Sequence, residues 1–467
     1  MRWSPRLAGC LVAVAALAAP SAGLAHSELR SAEPPPGARL ASVPASVRLV
    51  FSSPVEEAFL RLRVVADDGT VVSGPARRDP RDARAIIAPG LRLSVEGPLR
   101  VEWRVLSRDG HPTGGAFALG VGVAPAPVSD GDVVRDDLGP LPVASRLLAL
   151  AGPLGALGLI ALAIGVVGPA VRSGGISVPG EPRARSKRLA AQARDALGRR
   201  GPSWWIAVWA MAGAQAVGLA LAPAALLWGL REDTGELGRL LSDTRFGAGW
   251  WVQVAGLLML VVASIAVRWR ITGRAPPLDP RLLVLGLGPL VALWSISDAG
   301  HASTGGDATL NVAIDLIHSV ATAVWLGGLL GLAVLAIPAL AGLADDDRVR
   351  FAAAVVVRFS ALALTAVAVL VVTGVYRALA EVSVGELAST AYGRALLVKL
   401  GLFAVLLLGG AYNRMIVHPR LERAALGLDP SDRGAAAALR VSVRAELVLA
   451  AALLVSVAVL VSLPPPG

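Results

Sequence analysis

The sequence predicts two structural classes in one chain: an N-terminal all-β sandwich, followed by an all-α polytopic membrane bundle of about eight transmembrane helices. Two observations carry this. Only 17% of the 467 residues are charged against 55% hydrophobic, and mean hydropathy is +0.63; a soluble domain carries about 25% charged residues. The apolar residues are also unevenly arranged. Residues 26–124 alternate apolar and polar positions in short runs, whereas 145–463 hold long apolar stretches that only lipid or a large bundle can bury.

Taken in order, residues 1–25 read as a signal peptide. Arg2 and Arg6 form a basic start, Cys10 to Ala19 an apolar run, and Gly23-Leu24-Ala25 a small-residue cleavage pattern. Cleavage after Ala25 makes His26 the new N-terminus. Its α-amine and imidazole can then chelate one ion, a nitrogen pair that suits Cu(II).

In 26–124 the strand signals are Val47 to Phe51, Leu60 to Val64, Val71-Val72 after the Asp68-Gly69 turn, Leu99 to Val105, and Ala116 to Val121. Leu99, Val101, Trp103 and Val105 share one face. About seven short strands are expected, hence the sandwich. Between two of them stands Ser107-Arg108-Asp109-Gly110-His111-Pro112. A loop can aim Asp109 and His111 at one ion, although a turn aspartate beside a solvated histidine has the same spelling.

Residues 125–144, with Pro at 125, 127, 140 and 142, read as an extended linker. Eight apolar segments follow, at 145–171, 203–230, 247–268, 281–299, 310–339, 351–378, 393–416 and 440–463. Loop 172–202 carries Arg172, Arg183, Arg185, Lys187, Arg188, Arg194, Arg199 and Arg200. Loops 300–309 and 379–392 carry no Lys or Arg, and 231–246 carries Arg231, Arg239 and Arg245. The positive-inside rule therefore puts loop 172–202 in the cytoplasm and the β domain outside. The net charge of +10 falls largely in those loops, and no nucleic-acid motif accompanies it. With one Cys, a disulfide scaffold, a thiolate zinc site and an iron–sulfur cluster are excluded, and without a Walker sequence an ATP-driven pump is not expected.

Polar residues inside spans are candidates for function. Asp298 ends the fourth span with His301 just beyond it, and Asp315 with His318 lies in the fifth; each Asp precedes its His by three residues, which on a helix places both on one face. Both pairs belong to the outer side, where they could receive a cation; an interfacial loop residue and an interhelical hydrogen bond are the plainer readings. Lys399 and Glu446 read as partners or snorkelling residues. Met211 and Met259 read as packing or as Cu(I) thioethers, and His418 as marking a loop on the basic side.

The stretches from His26 to Gly37, Val47 to Phe51 and Val101 to Gly115 together resemble the copper resistance domain CopC. The resemblance implies a periplasmic, Ig-like β domain with a Cu(II) site: His26 through amine and ring, His111, and Asp109 as ligand or orienter. Two departures stand out. Ser53 occupies a position that is often acidic in that family, and no Met lies between 26 and 210, so the soft Cu(I) site of some members is missing. The membrane part resembles the copper resistance D (CopD) domain, densest at Gly300-His301, Asp315 to Gly328, Arg358 to Ser360, Thr373 to Arg377, Thr390 to Arg394 and Lys399. This implies copper movement across the bacterial inner membrane, usually inward.

The expected protein is therefore a CopC/CopD fusion and not an enzyme. It divides into a signal peptide (1–25), a periplasmic copper-binding domain (26–124), a linker (125–144) and a transmembrane domain (145–463). Cu(II) captured by His26, Asp109 and His111 passes to His301 and His318, supported by Asp298 and Asp315, with Cu(I) a candidate species in the membrane. Copper ions, the bilayer and periplasmic copper carriers are the expected partners, and nucleic acid is not. The alternatives are a membrane electron-transfer or copper redox protein, using haem or a histidine brace, and a non-transporting copper buffer or sensor.

Overall fold

The computed structural model describes residues 29–91, 97–107, 110, 112–126, 139–176, 182–270, 279–299, 308–383, 385–428 and 434–463. Residues 1–25 (read as a signal peptide), His26, Asp109, His111, His301 and most of 125–144 (read as a linker) lie outside the described residues.

Among the described residues, eight strands form the β domain: β1 (Leu29–Glu33), β2 (Arg39–Leu40), β3 (Ser46–Phe51), β4 (Val55–Ala66), β5 (Arg77–Asp79), β6 (Asp82–Pro89), β7 (Gly97–Ser107) and β8 (Pro112–Val121). They make two four-stranded sheets, in the orders β1-β3-β6-β5 and β2-β8-β7-β4. All pairings are antiparallel except β2 with β8. Val47, Leu49, Ile86 and Ala88 of one sheet meet Leu62, Val64, Leu99, Val101 and Leu119 of the other in one apolar core. Their period-2 spacing sends alternate side chains inward. The expected strand at Val71-Val72 reduces to a single bridge between Val71 and Val65. The preceding turn is built as expected: Gly69 takes φ +83°, and Asp68 accepts the Thr70 N–H at 2.9 Å.

The sheet does not keep the clean alternation that its sequence suggests. Leu106, out of phase with Val101 and Val105, is fully buried, and so is Phe59, which lies beside a bulge between Val55 and Leu60. Both sit on the outer face of their sheet, and the membrane bundle covers them.

Among the described residues, eight helices are long and apolar enough to cross a membrane: Pro140–Arg172, Gly201–Leu230, Arg245–Arg270, Pro280–Ala299, Ala308–Leu340, Asp345–Leu379, Ala391–Ala425 and Ala435–Leu460. They are called the first to eighth spans. Close approach rests on small residues. A Cβ on Gly158 of the first span would lie 2.2 Å from the Ala323 carbonyl oxygen of the fifth. Five-residue π turns widen the first span (Ala163–Val167), the fifth (Ala323–Gly327 and Leu332–Ala336) and the seventh (Asn413–Val417).

Two segments read as loops are helical. Arg183–Arg199 forms a helix within the basic 172–202 segment. Leu189, Ala193, Ala196 and Leu197 of this helix join the bundle core; their three-to-four-residue spacing gives one apolar stripe under a basic face. His418 is likewise not in a loop. It continues the seventh span as the first residue of helix His418–Ala425, and is only 4% exposed. The span runs past Arg414 because arginine and histidine hydrogen-bond each other inside it.

Candidate functional site

The β domain is seated on one end of the bundle. Phe59 and Leu106 pack with Leu226, Leu227 and Leu230 at the end of the second span, and with Leu240 of the short helix Leu237–Ser242. A polar rim surrounds this apolar centre. Arg61 pairs with Glu232 at 2.5 Å, and Arg104 donates to the Leu230 carbonyl at 3.2 Å. Arg239 donates to the Ala58 carbonyl at 2.8 Å, with its guanidinium over the Phe59 ring. The Arg245 N–H donates to Glu56 at 3.2 Å. Burial first, then the nearby charges of Arg231 and Arg61, hold the Arg104 guanidinium below its ordinary pKa, though an arginine stays charged. These contacts also account for the arginines of segment 231–246: Arg239 and Arg245 hold the β domain.

The β7–β8 hairpin reaches this interface. Leu106 pairs in register with Pro112 at the end of the β7–β8 ladder. Gly110 supplies the bend with φ +82°, its N–H donating to the Ser107 carbonyl at 2.9 Å. Pro112 rests on Gly229 of the second span, where any Cβ would come within 2.8 Å of the proline ring. The glycine is what lets the hairpin come down onto the helix.

From there a polar path leads across the bundle mouth. Arg245 begins the third span, and its guanidinium holds the Asp298 carboxylate and carbonyl, each at 3.0 Å. One arginine thus links Glu56 of the β domain to the end of the fourth span, just before the segment containing His301.

Asn311, Asp315 and His318 recur on one face of the fifth span and meet the sixth. Tyr376 donates its hydroxyl to Asn311 at 3.1 Å, and Arg377 pairs with Asp315. His318 Nδ1 lies 2.9 Å from Thr373 Oγ1. The Thr373 hydroxyl hydrogen is already committed to the Val369 carbonyl at 2.7 Å. Thr373 therefore accepts, His318 carries its proton on Nδ1, and Nε2 keeps its lone pair. Lys399 of the seventh span lies within electrostatic range of the ring.

Of the residues singled out in the sequence, the structure places Asp298, Asp315 and His318. Both aspartates are engaged by arginines, Arg245 and Arg377. No group of three His, Cys, Asp or Glu side chains converges among the described residues. Met211 fills the groove over Gly155, and Met259 and Met415 face outward, 42% and 72% exposed. The residues that sequence reasoning missed are the partners: Thr373, Arg377, Arg245, Glu56 and the docking pair Phe59 and Leu106. The Thr373 to Arg377 stretch was visible as a motif, but nothing in it says which helix it faces.

Two family models match this chain. The CopC domain covers residues 29–122, and copper resistance protein D covers 353–460. The chain carries a CopC domain at 29–122 followed by a CopD domain at 353–460. It is 27% identical over 460 residues to the copper transport protein CutJ of Bacillus subtilis (strain 168), a match covering 96% of this chain and 76% of CutJ. Protein YobA of Escherichia coli (strain K12) is 30% identical over 98 residues, 21% of this chain and 79% of YobA. Among solved structures, CopC from Methylosinus trichosporium OB3b shares 28% identity over 22% of this chain and 99% of its own, with a TM-score of 0.20. The copper resistance protein PcoC from Escherichia coli shares 24% over 20% of this chain and 98% of its own, with a TM-score of 0.19. The matched families are those of copper transport and resistance, and copper is the metal they point to. The CopD match covers the sixth to eighth spans; His318 lies before it, and its partner Thr373 within it.

Proposed function

We propose that this multi-pass membrane protein moves copper inward across the bacterial inner membrane, as cargo and without catalysis. The CopC domain stands on the periplasmic side and takes Cu(II) from the periplasm or from carriers there. His26 supplies its amine and ring, His111 its ring, and Asp109 ligates or orients. The ion then passes to His301 and on to His318, whose bare Nε2 is the form of histidine that binds metal. Thr373 fixes that tautomer, as second partners of metal-binding histidines do. Asp298 and Asp315 are read here as supports that keep Arg245 and Arg377 in place, since each carboxylate already has its cation. Any Cu(I) in the membrane would require a reductant from outside this chain.

The observation that supports this reading is the seating of the β7–β8 hairpin on the second span, through Leu106 and Pro112. The β domain and the bundle then share a packed interface instead of being two tethered bodies. The test is Cu(II) titration and copper flux with the full chain. His111→Ala is expected to lose the d–d absorption of bound Cu(II) and to slow flux into proteoliposomes. An unchanged absorption band would remove His111 from the site.

A further inference from the structure

The copper path uses the outer half of the bundle. A second polar cluster lies in the spans and has no part in that path. Glu446 of the eighth span is 5% exposed. Its Oε1 accepts from the Asn413 amide of the seventh span and from the Ser442 hydroxyl at 3.2 Å. Both partners are neutral.

The charged side chains of the elements packed around it point elsewhere. Arg440 and Arg444 on the same helix are exposed. Arg414 of the seventh span donates to His418, and His418 Nε2 lies 3.3 Å from Glu422. Arg146 of the first span reaches the Val461 carbonyl, and Lys399 lies several turns back along the seventh span, on the His318 side. Among the described residues no ion pair to Glu446 is formed. An ionised carboxylate placed so is costly, and uptake of one proton removes the cost.

The second observation is an orphaned acceptor. Asn413 Oδ1 is buried without a hydrogen-bond donor, beside the carboxylate. Asn413 also opens the π turn Asn413–Val417, a backbone irregularity found mostly at working sites. Carboxylate, amide and hydroxyl oxygens are hard donors. They suit a proton or a hard cation and not Cu(I), which prefers sulfur; Met415 in the same turn faces away from the core at 72% exposure.

From this geometry we propose that Glu446 is a proton-carrying site of the bundle. It cycles between carboxylate and carboxylic acid by binding and releasing one H+, with no redox change. The eighth span packs on the seventh and first, and on the π turn Leu332–Ala336 of the fifth, the span that carries His318. A proton moving opposite to copper offsets part of its charge. The coupling half of this proposal rests on the transport reading above; the proton site itself does not.

The experiment has two arms, both on the full chain. Infrared difference spectra at neutral pH should show a protonated-carboxyl stretch in wild type that is lost in Glu446→Gln. Proteoliposomes with an internal pH dye should show proton movement during copper uptake in wild type, none in Glu446→Gln, and recovery in Glu446→Asp, which keeps the acid. An identical carboxyl stretch in wild type and Glu446→Gln overturns the proton site, as does a stretch abolished by Na+, which assigns the site to a metal cation. Equal proton movement in wild type and Glu446→Gln overturns the coupling. A wild type that moves no copper defeats the transport reading, while the infrared arm still decides the site.

Discussion

His318 and His418 are both histidines of transmembrane helices, and they are held in opposite ways. His318 meets Thr373, whose own hydrogen is spent on Val369, so the ring must donate from Nδ1 and leaves Nε2 bare. His418 meets Arg414, which can only donate. Its Nδ1 lone pair is consumed, and Nε2–H is left beside Glu422 at 3.3 Å. The first imidazole offers a metal a lone pair and the second offers none. Burial does not separate them in that sense: the more deeply buried ring, His418, is the structural one. What decides a histidine's chemistry here is the count of hydrogens on its partner.

That contrast can be broken in order of expected effect. His318→Ala should lower copper flux into proteoliposomes by about 100-fold, as expected for loss of a ligand whose supports alone are worth 10–100-fold. His418→Gln should leave flux near wild type and reduce thermal stability instead. Similar flux losses for both would erase the distinction. Thr373→Val removes the acceptor that fixes the tautomer, and flux should fall by about tenfold with the fold intact by circular dichroism.

Gly229→Leu acts at the other end of the path. It pushes Pro112 off the second span and should slow flux several-fold while Cu(II) affinity of the full chain stays unchanged. Equal flux would mean that the hairpin need not be seated. The smallest effect lies in the CopC domain itself. The Arg81 N–H at 3.0 Å and Arg48 at 2.9 Å hold the Asp79 carboxyl below its ordinary pKa. A lowered native value adds stability above the unfolded-state pKa of about 3.9, and that stability is lost as pH falls through the native value. Asp79→Asn should lower melting temperature at neutral pH and flatten its decline below about pH 4.

The sequence disclosed the parts that rest on local pattern. The eight candidate spans among the described residues, the β domain and the bend at Gly110 could be read because apolar runs, alternation and glycine are short-range signals. The pairing of His318 with Thr373 could not, because 55 residues separate them and only helix packing brings them together. Arg245 with Asp298 is the same case. Leu106 and Phe59 were missed because the span that buries them lies more than 100 residues away in sequence. His418 was misjudged because its basic neighbours resemble a cytoplasmic loop, whereas one of them, Arg414, is the donor that keeps it inside the helix.

The central claim is that His318 presents a bare Nε2 to copper at the end of a seated path. Nitrogen NMR of the full chain with labelled histidine, titrated with Cu(I) as a diamagnetic probe, tests it directly. The expected spectrum shows His318 protonated at Nδ1 and His418 protonated at Nε2, with copper shifting the His318 Nε2 signal alone. A His318 ring protonated at Nε2, or one whose signal ignores copper, would contradict the account.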